Sequence, residues 1–309
     1  MLKEDLLSLQ WEEAAANPLI RPPLFSWFVA DPTFLPPAAT PDGQWHLFAH
    51  SLRGVNHFVS TDGFAWTRRP GLVVSIGIRP FLFQEGQRYY LFYEKILKVV
   101  PQYHSCIAAI ASDDLEHWSA PTVVLTPTLD WHCEGARQGA MGNPCVVAAG
   151  DGFRLYYSAG LVYLKDCWFN EPKYVGVAFS PQLMGSYTTT PKPVLYPQAT
   201  DPQANLGAGA IKVVRFQDGY VGFQNGIYWD AARAHTGSAI RLLTSPDGID
   251  WTVARPEPVV KPATGWKKSF VYALDVRLVG AQWLLYFNAR DGWLFGQECI
   301  GRAAARAPG

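Results

Sequence analysis

A short pattern recurs four times along this 309-residue chain: a Ser, usually an Asp two residues later, and usually a Trp four residues after that. It reads Ser60-Thr61-Asp62-Gly63-Phe64-Ala65-Trp66, then Ser112-Asp113-Asp114-Leu115-Glu116-His117-Trp118. A degraded copy is Ser180-Pro181-Gln182-Leu183-Met184-Gly185-Ser186-Tyr187, and the last is Ser245-Pro246-Asp247-Gly248-Ile249-Asp250-Trp251. Each copy stands between two apolar runs rich in β-forming residues. Such repetition marks a repeat architecture, in which each unit buries its apolar faces against its neighbours.

Strand signals recur in a fixed order around the turn. A first apolar run follows a polar residue, often with Pro: Asp31-Pro32-Thr33, Arg79-Pro80-Phe81, Asn143-Pro144-Cys145, and, more weakly, Gly209-Ala210-Ile211 and Asp275-Val276-Arg277. A tight link such as Glu85-Gly86 or Asp218-Gly219 reads as a hairpin. The second run is aromatic, as in Tyr90-Leu91-Phe92-Tyr93 and Leu284-Leu285-Tyr286-Phe287. The third leads into the Ser-Asp-Trp turn. The fourth is flanked by Pro, as in Pro193-Val194-Leu195-Tyr196-Pro197, which suits an outer edge strand. The fifth unit lacks this fourth run, and Asn17-Pro18-Leu19-Ile20-Arg21-Pro22 has its form. The pattern predicts an all-β, five-bladed β-propeller of four-stranded antiparallel blades, closed by an N-terminal strand that completes the last blade. It assigns a single domain over 1–309: residues 17–22 as outer strand of the last blade, then blades at about 29–75, 77–127, 141–197, 207–262 and 272–303. Residues 1–12 read as a short external helix and 302–309 as a loose tail.

With 26 basic and 26 acidic side chains, the chain has no electrostatic footprint for nucleic acid or an anionic membrane. No run approaches the roughly 20 apolar residues of a membrane helix. The five Cys are odd in number and lack CxxC spacing, and the acidic N-terminus has no signal-peptide core; reduced thiols and a cytoplasmic location are the expectation. The His spacing fits no zinc motif, so no metal ligand set is expected. No serine elbow, phosphate loop or dinucleotide fingerprint occurs. Oligomeric state has no signature here.

In such a ring the long loops between second and third strands share one face with the starts of the innermost strands. Long loops on a rigid scaffold carry binding and chemistry. The alignment places Asp31, Arg79, Asn143, Gly209 and Asp275 around a central pit, with His50, Glu94, Ser158, Asn225 and Asn288 ending the second strands there. Asp before Pro and Asn before Gly are also turn formers. Trp27, Trp229 and Trp293 lie in loops on this face, where aromatic faces stack on sugar rings.

On Val29-Ala30-Asp31-Pro32, the Arg79-Pro80 and Asn143-Pro144 strand starts and the Ser-x-Asp-x-x-x-Trp turns, the chain resembles the five-bladed propeller glycosidases of glycoside hydrolase families 43, 32, 68 and 130. The resemblance implies that Asp31 is the general base. The family-43 Asp of blade three is here Asn143, and the blade-four Glu is absent from Leu206-Gly207-Ala208-Gly209-Ala210. Glycoside hydrolysis needs a protonated and an ionised carboxyl across the bond. Glu94, Glu134 (in Trp131-His132-Cys133-Glu134-Gly135) and Asp275 are the residues available for the missing acid. Arg79, Asn143, His50, Ser158, Asn225, Asn288, Trp27, Trp229 and Trp293 form the expected substrate-binding set. The reading is a glycoside hydrolase-like enzyme acting on a small-molecule or oligosaccharide substrate without a cofactor; a structural Ca2+ in the axial channel is compatible with the resemblance. The alternatives are a propeller turned to lyase, isomerase or cyclase chemistry, or a non-catalytic carbohydrate-binding protein.

Overall fold

The computed structural model describes residues 2–150 and 152–306. Five antiparallel sheets surround an axis, four of them four-stranded and that of blade one with a fifth short strand. From axis to rim, blade one runs Ala30–Leu35, Trp45–Ser51, Gly54–Ser60 and Thr67–Arg68, with Val74–Ser75 also pairing on its third strand. Blade two runs Gly77–Glu85, Arg88–Lys98, His104–Ser112 and Thr122–Leu125. Blade three is Met141–Ala149, Gly152–Leu164, Phe169–Ser180 and Thr188–Thr189, and blade four is Gly207–Phe216, Gly219–Asp230, His235–Ser245 and Thr252–Val253. Blade five is Phe270–Val279, Gln282–Arg290 and Glu298–Arg306, completed by Glu12–Glu13 from the N-terminus.

The ring closes through the N-terminus, but the pairing extends over more chain than residues 17–22. Glu12 and Glu13 pair with Ala304 and Ala303, while Ile20 forms a single bridge to Ile300. The Pro-flanked runs behave similarly: Leu195 and Val260 make isolated bridges to Val175 and Ile240, because flanking Pro residues have no N–H to extend a ladder. Residues 302–306, read as a loose tail, instead finish the third strand of blade five, with Ala303 and Ala305 buried. The small side chains of these two alanines fit the crowded seam beneath the N-terminal segment; residues 307–309 lie outside the described residues. The N-terminal helix is short, Lys3–Leu7, and buries Leu6 against Val221 and Phe223 of blade four.

The repeated turn explains itself in hydrogen bonds. Ser60 Oγ accepts the N–H groups of Asp62 and Gly63 at 3.2 and 3.0 Å, and Asp62 Oδ1 accepts those of Phe64 and Ala65, both at 2.8 Å. Ser112 with Asp114, and Ser245 with Asp247, repeat the arrangement. Side-chain oxygens thereby satisfy backbone donors that a tight turn leaves unpaired. The turn's Trp then packs edge-on against an aromatic ring of the preceding blade: Trp118 on Phe48 at 5.7 Å, Trp251 on Tyr156 at 6.0 Å, and Trp66 on Tyr286 at 5.7 Å. The last of these joins blade one to blade five. Tyr286 also donates its hydroxyl to Gly63 O at 2.6 Å. Trp66→Ala is expected to cost roughly 2 kcal/mol in chemical denaturation, less than a fully enclosed Trp because one edge of the ring meets solvent. An unchanged midpoint would show that this contact does not close the ring.

Candidate active site

At the start of each innermost strand the ladder is bulged: between Ala30 and Thr33, Ile78 and Phe81, Gly142 and Cys145, Gly207 and Ala210, and Val271 and Leu274. In the first four blades one residue at the bulge takes a left-handed backbone: Asp31, Arg79, Asn143 and Gly209, with φ of 52°, 54°, 51° and 63°. Asp, Asn and Gly enter this region readily, but Arg does so at a cost, the kind of strain that collects at functional sites. Each bulge turns its residue toward the axis. All four line a pit of about 250 Å3 together with His50, Asn225, Asn288 and Trp27.

Blade five departs from the alignment. Its bulge lies at residues 272–273, so Tyr272, not Asp275, faces the pit. Asp275 sits farther down the axial channel. It accepts the Thr33 hydroxyl at 2.9 Å, the Phe34 N–H at 3.1 Å and Arg277 Nη2 at 3.0 Å. Glu94 is also withdrawn. Fully buried behind Arg79, it pairs with that guanidinium at 2.6 Å and accepts the Tyr103 hydroxyl. Glu134 lies toward the rim, engaged by Lys173 and Tyr174, whose hydrogen bonds hold its carboxyl below the usual range. Thus the structure brings none of the three expected acids into the pit. Ser158 stands just outside, donating to Gly209 O at 2.6 Å and so supporting the blade-four bulge. Trp229 is not part of the pit wall, and Trp293 packs on His235 at 5.4 Å.

Two carboxyls that the alignment missed stand in the pit: Glu171 and Glu298. Both lie at the start of third strands, which begin on the same face where second strands end. On the second strands Glu298 stands opposite Arg290 and Glu171 opposite Val162, positions that differ in register and that no shared repeat signal marks. Ring closure sets Glu298 beside Asp31. Its N–H donates to Trp27 O and its carbonyl accepts the Val29 N–H, both at 3.0 Å. Asn288 spans the two residues, accepting the Asp31 N–H at 3.0 Å and donating to the Glu298 carboxyl. Burial, reinforced by the negative charge of Asp31, pushes Glu298 up to about 8. Burial likewise pushes Glu171 up to about 7, with Arg79 opposing and Asp31 reinforcing. His50 Nδ1 lies 3.2 Å from Asp31 Oδ2, and burial lowers its affinity for a proton. Arg290 lies over the Phe169 ring at 5.4 Å, and both line the wall.

Among the described residues, no group of three or more His, Cys, Asp and Glu is arranged to hold a metal ion. In the axial channel Lys212 and Arg277 accompany Asp275. Two fixed cations beside one carboxylate do not suit Ca2+, which is bound by several oxygen ligands.

Five blades around a central pit make this chain a five-bladed β-propeller. No protein-family model matches the chain, nor does any curated protein sequence. Solved structures do match. One described as a glycoside hydrolase aligns with TM-score 0.66 at 16% identity, covering 91% of this chain and 88% of that one. A thermostable family-43 glycoside hydrolase aligns with TM-score 0.62 at 14% identity, over 89% and 88%. A β-1,2-mannobiose phosphorylase from Listeria innocua aligns with TM-score 0.65 at 11% identity, over 95% and 96%. At these identities the likeness is one of fold, which this chain shares across nearly its whole length.

Proposed function

We propose that the chain is an enzyme that cleaves a short glycoside in this pit, with Asp31 as base or nucleophile and Glu298 as acid. One observation carries the reading: ring closure sets Glu298, whose carboxyl burial and Asp31 push up to about 8, beside Asp31 in one pit. Glu298 would give its proton to the glycosidic oxygen as the bond breaks, while Asp31 activates a water or attacks the anomeric carbon. Arg79, Asn143, Asn225 and His50 would orient the sugar hydroxyls. A pit of about 250 Å3 suits one sugar ring, which supports cleavage at a chain end or of a small glycoside.

A second reading, transfer of the sugar to phosphate, is favoured by Arg79 and Arg290 on the pit wall, since guanidinium binds phosphate bidentately. Incubating wild type and Asp31→Asn with a panel of nitrophenyl glycosides and short oligosaccharides, with and without phosphate, tests both. Turnover by wild type and its loss by about 10^3-fold in Asp31→Asn is expected. Equal turnover by the two proteins would refute the assignment, and a rate dependent on phosphate would select the second reading.

A further inference from the structure

The mouth of the pit carries a surface that the sugar does not require. Leu24, Phe25, Trp27, Leu52, Ile76 and Phe295 are all more than half exposed, Phe25 by 86% and Phe295 by 85%. Hydrogen bonds knit their segments together. The Leu52 N–H reaches Ser26 Oγ at 3.4 Å, and the Ile76 N–H donates to Arg53 O at 3.1 Å. Arg21 reaches Gln297 at 3.4 Å, next to Phe295 and Glu298. Trp27 and Gly296 are themselves part of the pit wall. Single exposed apolar residues are ordinary, whereas a contiguous group beside a site marks binding. Phe25 and Ile76 hold their side chains out from left-handed backbone, with φ of 65° and 56°, a costly conformation for bulky residues.

We infer that the substrate is a glycoside of an apolar aglycone, whose tail lies on this rim while its sugar fills the pit. This rests on the reading above and narrows it. The pit takes one sugar ring, so the group across the scissile bond must emerge at the mouth. A second sugar would find few hydrogen-bonding partners on Leu24, Phe25, Leu52, Ile76 and Phe295. An alkyl or aryl group loses water against them instead.

The test is calorimetric titration with methyl and n-octyl glucosides, galactosides, mannosides and arabinofuranosides, the octyl compounds below their micelle concentrations. For at least one sugar the octyl compound is expected to bind at least about tenfold more tightly, the worth of two buried methylenes. The double variant Leu24→Ser/Phe25→Ser is expected to abolish that gain, with melting temperature and affinity for the methyl glycoside unchanged. Equal affinity for methyl and octyl compounds, or a gain that survives in the double variant, overturns the inference. So does equal binding of sugar-free octyl tri(ethylene glycol), or retention on glycoside-free phosphatidylcholine vesicles, which would make the rim a membrane-facing surface. Failure of the catalytic assignment shows separately, as unaltered turnover in Asp31→Asn, and leaves the chain-length result standing.

Discussion

Glu298→Gln is expected to lower turnover by about 10^2- to 10^4-fold on glycosides with poor leaving groups, the range for removal of a general acid. On nitrophenyl glycosides, whose leaving group departs without protonation, the loss should shrink to less than about tenfold. This contrast separates a proton donor from a residue that merely shapes the pit. The pH profile gives a second readout. An acid must hold its proton, so wild-type activity should fall as pH rises through about 8, the value to which burial and Asp31 push Glu298. The variant should lack that limb. Glu171→Gln separates the two buried carboxyls: a fall centred near 7, removed by this change and not by Glu298→Gln, would transfer the role to Glu171. Stability should follow the same titration. A carboxyl whose folded pKa is raised contributes stability at pH below its unfolded value near 4.5, and this is lost as pH rises through the folded value. The wild type should therefore lose stability relative to Glu298→Gln between about pH 5 and 8, and parallel curves would contradict the raised pKa.

Asp275→Ala is expected to destabilise the fold by about 3–5 kcal/mol, the loss that follows when one partner of a buried ion pair is removed. At this chain length that corresponds to a fall in Tm on the order of 10 °C. Asp275 receives hydrogen bonds from Thr33 and Phe34 of blade one and pairs with Arg277. Arg277 in turn donates to Leu82 O of blade two at 2.6 Å, and Thr33 Oγ1 accepts the Leu82 N–H at 2.9 Å. One carboxylate thus joins blades five, one and two at the channel. The folded fraction of the variant should keep its turnover at low temperature, because Asp275 does not line the pit. A dead but fully stable variant would return Asp275 to the chemistry.

Much of the fold was legible in the chain because its determinants are local. The Ser and Asp of each turn bond to backbone within three residues, and hairpin links sit beside the strands they join. The repeat therefore appears directly as a spacing. Three positions of the pit ring were legible for the same reason: Asp31, Arg79 and Asn143 are each marked by the Pro that follows. Blade five has neither the Pro nor a left-handed residue at its bulge, so an alignment on the nearest carboxylate slid to Asp275.

The juxtaposition of Glu298 and Asp31 was not legible. Glu298 and Asp31 lie at opposite ends of the chain, and only closure of the ring, through the bridge between Phe28 and Glu298, sets them side by side. Nor does sequence show that Glu94 faces Arg79, because which of two adjacent groups reaches the pit depends on side-chain burial across a blade seam. The chain by itself determined the number of blades, their strand order and the polar residues that begin the innermost strands of the first three, since turn and strand chemistry act over a few residues. Which carboxyls share the pit, and how far burial pushes each one up, was decided by tertiary structure alone, because desolvation and charge coupling act through space between residues that the chain keeps far apart.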